Sequence, residues 1–331
     1  MKRVGFLFEQ AFTEENLYQA YLDASRHKHG KRACFQFTRR LGRNLQRLHT
    51  ALHNGTYRPQ PYYNFMVYEP KPRRIFAPAF SDLVVQHAIS RVIYPIFNST
   101  FVDQSYACRK GNGTHKAADY AQEALQVANR GSYTLKMDIR KFFYRIDRDT
   151  LRTMIERKIK DRRFVDVMML FADHGEPVGI PIGNLLSQMY ALIYLNRLDH
   201  FIKRDLKACR YCRYVDDFVI FGVSQDCAKQ MLASIIDYLK TIHLELSKYT
   251  IAAIHKGVNF VGYRTWATKR FIRKHSLFVF SRAVRSGKIA SAISILGHAR
   301  RTHSLKHLIK IIKETHHDLR LSKAYRQPAY Y

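Results

Sequence analysis

Three aspartates occupy positions at which a chain can hold carboxylates close together. Asp138 ends a short apolar run that predicts a β-strand. Asp216 and Asp217 lie between two runs of β-forming residues, Arg210–Val215 and Phe218–Phe221, and this pattern predicts a hairpin with an Asp-Asp turn. Such a pair is usually a solvated turn. Here it interrupts what would otherwise be a buried strand, where two like charges are costly without a cation.

Carboxylates fixed on rigid strands are the ligands that Mg²⁺ prefers. Two such ions about 3.5–4 Å apart can activate a hydroxyl and hold a triphosphate, as nucleotidyl transfer requires. The sequence therefore predicts Asp138, Asp216 and Asp217 as catalytic metal ligands. The predicted cofactor is a pair of Mg²⁺ ions, with Mn²⁺ as a substitute.

The residues around these aspartates resemble the motifs of reverse transcriptases. Tyr214-Val-Asp-Asp resembles motif C of that family, and Asp138 with Phe143 five residues later resembles motif A. The resemblance implies that the Phe143 ring lies under the incoming sugar. A ring there would collide with a ribose 2′-hydroxyl and favour dNTPs.

Further blocks match the family in order over about residues 60–265. The resemblance assigns Lys71, Arg73 and Arg74 to a fingers hairpin that grips the triphosphate, a task suited to the arginine fork. Other matching segments are Asp82–Ala88, Ser105–Arg109, Gly113–His115, the motif D segment Leu246–Lys248 and the primer-grip segment Asn259–Tyr263. The residues assigned to primer or template are Tyr214, Lys248, Gly262 and Tyr263.

One loop departs from the commonest pattern of the family. Group II intron and retron enzymes usually have Gln-Gly-x-x-x-Ser-Pro where this chain has Ile182-Gly183-x-x-x-Ser187-Gln188. The latter resembles reverse transcriptases of diversity-generating retroelements, which copy a template-repeat RNA into error-prone cDNA with a small, basic, oligomeric accessory protein. Ile182, Gly183 and Gln188 are accordingly predicted to contact the nucleotide. Because Ile182 cannot make the hydrogen bond of a glutamine, discrimination should fall by up to about tenfold.

The charge of the chain predicts a polyanionic partner. There are 56 Lys and Arg against 26 Asp and Glu, a formal net charge of +30. Self-repulsion of this size favours a partner whose counterions are released on binding, here an RNA template and an RNA–DNA hybrid beside the dNTPs. An anionic membrane surface is the alternative, but no basic amphipathic helix dominates the sequence and no apolar run reaches membrane-spanning length.

The predicted fold is a right-hand α+β polymerase, with an antiparallel palm sheet backed by helices. The predicted divisions are a basic N-terminal extension at 1–60, fingers at 61–132, a palm at 133–266 and a basic helical thumb at 267–331. From Arg264 onward there are sixteen Lys and Arg against two acids. A second hairpin is expected in which Leu244–Ile254 pairs with Asn259–Thr265.

The five cysteines indicate the compartment of the protein and bear on whether it binds zinc. The five cysteines are irregularly spaced, which indicates a reducing compartment, and the predicted location is the cytoplasm of a bacterium, with a bacterial or phage gene. Cys209 and Cys212 would point to opposite faces of a strand and so do not predict a zinc site.

The alternatives to the predicted function are an antiphage-defence reverse transcriptase, a catalytically idle RNA-binding protein of maturase type, and a basic nuclease.

Overall fold

The structure is a computed structural model that describes residues 3–68 and 72–315. Contacts divide the chain into two compact units. The first comprises Met1–Asp103, Ile139–Leu206 and Ser234–Lys248, and the second comprises Gln104–Asp138, Lys207–Ala233 and Tyr249–Tyr331. The predicted domain boundaries differ from this interleaved division and remain predictions.

The described chain is rich in helices, with strands concentrated in its middle. The helices are α1 Leu7–Ala11, α2 Glu14–Ser25, α3 Arg32–Thr38, α4 Leu41–His53, α5 Phe80–Asn98, α6 Thr114–Val127, α7 Phe142–Arg145, α8 Arg148–Glu156, α9 Arg162–Leu170, α10 Leu185–His200, α11 Gln225–Thr241, α12 Lys274–Arg285, α13 Ile289–Ala299 and α14 Ser304–Glu314. The strands are β1 Tyr63–Val67, β2 Arg73–Ala77, β3 Tyr133–Ile139, β4 Arg210–Tyr214, β5 Asp217–Val223, β6 Leu246–Ala253, β7 Val258–Phe260, β8 Tyr263–Thr265 and β9 Arg270–Ile272.

Side-chain caps explain where several of the helices begin. The Thr13 hydroxyl accepts a hydrogen bond from the backbone N–H of Asn16 at 3.1 Å, and Glu14 and Glu15 follow in the first turn of α2. The Asp147 carboxylate caps α8 in the same way, accepting from the Thr150 N–H at 2.7 Å. Such caps satisfy N–H groups that have no partner within the helix, and acidic side chains there complement the helix dipole.

The central sheet of the second unit has four strands in the order β4-β5-β3-β6. Strands β4 and β5 form a hairpin, and β3 pairs antiparallel with β5 on its other side. Residues at both faces of β5 are buried from Phe218 to Phe221, because helix α6 covers one face through its alanines. Two rigid strands that carry aspartates therefore lie side by side.

The expected pairing of Leu244–Ile254 with Asn259–Thr265 is wrong. Strand β6 lies beside β3 instead, and β7 pairs with β8 in a separate three-stranded sheet. The reason is the turn at Gly257, which has φ +67° and lies so close to Thr265 that a Cβ would sit 2.5 Å from the Thr265 carbonyl oxygen. Only glycine tolerates both conditions, and the turn directs the chain away from β6.

The C-terminal helices α12, α13 and α14 pack around a second apolar cluster in the same unit. This cluster contains Tyr263, Phe280, Leu296 and Leu308 and extends to Ala118 on α6. Strand β9, which the sequence did not predict, joins these helices to the three-stranded sheet. Among the residues that the structure describes, no helix is long and apolar enough to cross a membrane.

Candidate polymerase site

Asp138 and Asp217 are direct cross-strand partners in the second unit. The β3–β5 register pairs Asp138 with Asp217, and the β4–β5 register pairs Tyr214 with Asp217. Directly opposed residues on antiparallel strands have their Cβ atoms about 4.5–5.5 Å apart. The strands thus hold two of the three predicted metal ligands as neighbours.

The hairpin turn differs by one residue from the predicted Asp216–Asp217 turn. Because Tyr214 pairs with Asp217, the two turn residues are Val215 and Asp216, and Asp217 begins the strand. Val215 has φ +56°, which is rare for a β-branched residue and costs about 1–3 kcal/mol. Propensity alone places valine inside the strand, and this explains the one-residue error.

Lys136 supplies a positive charge beside the aspartates. It lies two residues before Asp138 and so on the same face of β3, the face opposite to buried Leu135 and Met137. Its ammonium group donates a hydrogen bond to the Asp217 carboxylate, and both side chains are mostly buried, at 16% and 20% exposed. Sequence reasoning overlooked Lys136, although a lysine in an otherwise apolar strand was a visible signal.

The Asp217 carboxyl group experiences opposing electrostatic effects. Burial raises its pKa above the ordinary value, and the negative charge of Asp138 raises it further, whereas Lys136 and Arg273 lower it. A partly buried carboxylate beside a second one favours a cation nearby. Paired carboxylates are chemically suited to Mg²⁺, and the assignment of Asp138, Asp216 and Asp217 as its ligands remains a prediction. Within the described ranges, no group of three His, Cys, Asp or Glu side chains lies close enough together to hold a metal ion.

The predicted primer-grip residues lie in the tight β7–β8 turn of the same unit. Both turn residues have positive φ, +42° at Val261 and +88° at Gly262, as a two-residue type I′ hairpin requires. Tyr263 follows and is fully buried. Its hydroxyl donates to the His298 carbonyl oxygen at 2.8 Å, and the two rings stack with centroids 4.1 Å apart. Tyr263 thus supports the turn from inside, and Gly262 is the part that remains accessible.

The remaining predicted primer or template residues are Tyr214 and Lys248. Tyr214 is half-buried at the end of β4, and burial raises the pKa of its hydroxyl. Lys248 is exposed on β6. Their contacts with nucleic acid remain predictions.

The first unit brings together most of the predicted nucleotide-binding residues. The Ile182 carbonyl oxygen accepts from the Phe76 N–H of β2 at 2.7 Å, and the Phe143 carbonyl oxygen accepts from the Ile180 N–H at 2.8 Å. One loop therefore joins the β1–β2 hairpin to the short helix that carries Phe143. Gly183 fits against the hairpin because a Cβ there would lie 2.7 Å from the Ile75 side chain.

The predicted triphosphate grip is divided between two faces of β2. Arg73 and Arg74 are adjacent strand residues, so their side chains point to opposite sides. Arg74 pairs with Glu176 at 3.2 Å and lies over the Phe76 ring, whereas Arg73 is exposed. Lys71 lies outside the described residues. Gln188 is exposed on α10, a helix that is otherwise largely buried.

Comparison with known families decides the identity of this arrangement. The sequence profile of the family described as reverse transcriptase (RNA-dependent DNA polymerase) matches residues 69–265, which include all three aspartates. The chain belongs to the reverse transcriptase family. Its predicted RNA-directed DNA polymerase class is thereby confirmed.

Two relatives of this reverse transcriptase are bacterial proteins. Protein YkfC of Escherichia coli (strain K12) is 26% identical, over 74% of this chain and 75% of YkfC. The group II intron-encoded protein LtrA of Lactococcus lactis subsp. cremoris is 28% identical, over 48% of this chain. The matched region spans only 28% of LtrA.

Solved structures confirm the fold class of the reverse transcriptase. Truncated apo telomerase from Candida tropicalis superposes with a TM-score of 0.52 at 13% identity, covering 68% of this chain and 59% of that chain. The structure of that telomerase with a fragment of telomeric RNA gives the same score over 83% of this chain and 56% of that chain. The right-hand α+β polymerase fold predicted from the sequence is therefore present.

Proposed function

We propose that this reverse transcriptase copies an RNA template into DNA, with Asp138, Asp216 and Asp217 as ligands of two Mg²⁺ ions. The observation that carries the proposal is the direct pairing of Asp138 with Asp217 across two rigid strands. Held by these carboxylates, such ions would activate the primer 3′-hydroxyl and neutralise the departing pyrophosphate. In the reaction, the 3′-oxygen bonds to the α-phosphorus of the dNTP, the α–β phosphoanhydride bond breaks, and the hydroxyl proton is released.

The finer proposal is that the enzyme serves a diversity-generating retroelement and makes error-prone cDNA from a template-repeat RNA. Its support is the segment Ile182–Gln188, a short loop that leads into helix α10. The loop contacts strand β2 through the Ile182 carbonyl oxygen, and this bond is independent of the side chain at 182. Isoleucine can therefore replace glutamine while the loop stays bound to β2. What is lost is the side-chain hydrogen bond of glutamine, and with it part of the discrimination between nucleotides.

The test of this finer proposal is a comparison of the wild type with Ile182→Gln. Both proteins copy one RNA that contains all four bases, and the cDNA is sequenced. We expect frequent errors in the wild type, concentrated opposite template adenines, and up to about tenfold fewer in Ile182→Gln, as expected for one regained hydrogen bond. Equal and low error rates would reject the mutagenic role and favour an antiphage-defence reverse transcriptase that copies a non-coding RNA.

The setting proposed for the enzyme follows from the same assignment. Its partners would be the RNA template, the RNA–DNA hybrid, dNTPs and a small basic oligomeric accessory protein, in the cytoplasm of a bacterium or phage-infected cell. A neighbouring pair of imperfect repeats in the source genome would support this setting. Its absence would favour the defence role.

A maturase-like function is the second candidate, because the relatives include intron proteins. Besides LtrA, nuclear intron maturase 4 of Arabidopsis thaliana is 28% identical over 37% of this chain. A protein of this kind would bind structured RNA without needing dNTPs. Asp216→Asn separates the two functions, because it should abolish DNA synthesis and leave RNA binding unchanged.

A further inference from the structure

Arg213 is a fully buried arginine beside the turn that carries Asp216. It lies in strand β4 and is 1% exposed. Among the described residues it is the largest fully buried side chain. A buried guanidinium is costly unless its N–H groups are hydrogen-bonded. The partners of its hydrogen bonds therefore indicate the role of Arg213.

The two ends of the guanidinium reach two different parts of the second unit. One terminal nitrogen donates to the Val215 carbonyl oxygen at 2.9 Å, and the other donates to the Ser105 hydroxyl at 3.1 Å. Ser105 is itself fully buried. The planar fork of arginine can hold both acceptors at once, which the single ammonium group of lysine cannot do in the same way.

The segment that contains Ser105 is fixed to β4 by its backbone as well. The Arg213 N–H donates to the Gln104 carbonyl oxygen at 3.0 Å, and the Tyr106 N–H donates to the Arg213 carbonyl oxygen at 3.0 Å. Arg109 also donates to the Ser105 carbonyl oxygen at 3.0 Å. The Ser105–Arg109 block, to which the sequence assigned no role, therefore forms a support for Arg213.

The acceptor of the other bond is the strained residue of the turn. Val215 has φ +56°, a conformation that valine adopts only when its surroundings impose it. Its carbonyl belongs to the peptide that joins it to Asp216. A bond to that oxygen therefore fixes the orientation of the peptide from which the Asp216 side chain departs.

We infer that Arg213 is a positioning residue, which holds the Val215 peptide through its guanidinium fork and thereby orients the Asp216 carboxylate as it would need to be to bind a metal ion. The inference rests on the proposed function, because it assumes that Asp216 is a metal ligand. A purely structural arginine would affect stability but not metal affinity. The two roles therefore differ in a measurable quantity.

The test measures Mn²⁺ binding to the full chain by the electron paramagnetic resonance signal of free Mn²⁺. The variants are Arg213→Lys, Arg213→Met and Ser105→Ala, which removes one acceptor of the fork. Arg210→Lys is the matched control, because Arg210 lies at the far end of the same strand. Asp216→Asn shows the effect of losing the ligand itself. Thermal unfolding by circular dichroism identifies the variants that fold.

We expect Arg213→Lys to weaken Mn²⁺ binding about tenfold, which corresponds to about 1.4 kcal/mol. Ser105→Ala should weaken it less, and Arg210→Lys should leave it unchanged. The Mg²⁺ concentration for half-maximal primer extension should rise in the same order. If Arg213→Met fails to fold, Arg213→Lys and Ser105→Ala still decide the question.

Wild-type metal affinity in folded Arg213→Lys and Ser105→Ala would overturn the inference while leaving the proposed function intact. The proposed function fails in a different way, when the wild type binds Mn²⁺ no better than Asp216→Asn and extends no primer. The two failures are therefore distinguishable in one set of measurements.

Discussion

Asp138 and Asp217 face each other across the antiparallel strands β3 and β5, and the ammonium group of Lys136 bonds to Asp217 from the same face. Two carboxylates in this position repel each other unless a cation lies between or beside them. Lys136 provides part of that charge within the protein itself. A divalent ion bound at the two carboxylates would add further positive charge.

Replacing Lys136 by Met should make the protein depend more strongly on divalent ions. Without Mg²⁺ we expect the unfolding free energy to fall by about 3 kcal/mol, because one partner of a largely buried ion pair is lost. Added Mg²⁺ should recover more stability in Lys136→Met than in the wild type. Urea unfolding with and without Mg²⁺ measures both effects.

Lys229→Met is the matched control for that prediction. Lys229 pairs with Asp226 at 3.3 Å, but both side chains are mostly exposed. Exposed pairs of this kind contribute between zero and about 1 kcal/mol. A loss in Lys136→Met no larger than in this control would contradict the importance of the buried pair.

The primer-grip turn should be sensitive to any side chain at Gly262. Its φ is +88°, and a Cβ would lie 2.8 Å from the imidazole Nε2 of His298. We expect Gly262→Ala to destabilise the protein by about 1–3 kcal/mol and to weaken the binding of a primer–template duplex. Chemical denaturation and duplex titration provide the two measurements.

Two other glycines separate the causes of that effect. Gly287 also has positive φ, +66°, but a Cβ there meets nothing within 4 Å, so alanine should introduce strain without a clash. Gly297 lies inside α13 in open space, and alanine there should stabilise the helix by roughly 0.5–1 kcal/mol. If Gly262→Ala costs no more than Gly287→Ala, contact with His298 does not matter.

The stability of the same turn should depend on pH through His298. Burial lowers the pKa of this histidine, and the nearby charges of His115 and Arg273 lower it further, although a bond to Gly262 opposes them. Within the window between the lowered and the ordinary pKa, the unfolded chain binds more protons than the folded one. Stability from neutral His298 is therefore present above the ordinary pKa and is lost as pH falls through the window.

His298→Phe tests this dependence, because it keeps a ring stacked on Tyr263 and removes the titrating group. His115 also has a pKa lowered by burial, so the variant should lose only part of the pH dependence of the unfolding free energy. Denaturant titrations at a series of pH values give the slopes. Identical slopes in the two proteins would reject the role of His298.

Phe143 should determine which sugar the enzyme accepts. The residue is half-buried in α7, and its ring lies 5.5 Å from that of Phe142. If the Phe143 ring blocks a 2′-hydroxyl, Phe143→Ala should raise the use of rNTPs relative to dNTPs roughly ten- to hundred-fold. The ratio of kcat/KM values for dCTP and CTP measures it, and an unchanged ratio would exclude this role.

The sequence predicted those parts of the fold that local patterns determine. Runs of β-forming residues located β3 and the two strands of the β4–β5 hairpin. The sequence pattern did not predict which strand pairs with β6, because strands that pair in space need not be neighbours in the chain. The turn at Gly257 is a close approach to Thr265, and such an approach becomes visible only in three dimensions.

The sequence predicted which acidic residues belong to the candidate site, but it did not predict all of the residues that support them. Asp216 and Asp217 were predicted because charge is costly in an apolar hairpin, and Asp138 because it ends an apolar run; their role as metal ligands stays a prediction. The one-residue shift of the turn was not predictable, since Val215 adopts a backbone conformation against its own preference. Lys136 and Arg213 escaped notice because a lone basic residue in a strand does not reveal its partner.

Primer extension by Asp216→Asn tests the central claim most directly. The assay supplies an RNA template, a DNA primer, all four dNTPs and Mg²⁺, and Asp226→Asn, an exposed aspartate on α11, serves as the control. We expect the wild type and Asp226→Asn to extend the primer, and Asp216→Asn to lose roughly a thousand-fold or more of the rate while remaining folded, since a lost metal ligand removes several kcal/mol of transition-state stabilisation. Extension by Asp216→Asn at the wild-type rate and with the wild-type Mg²⁺ dependence would contradict the assignment.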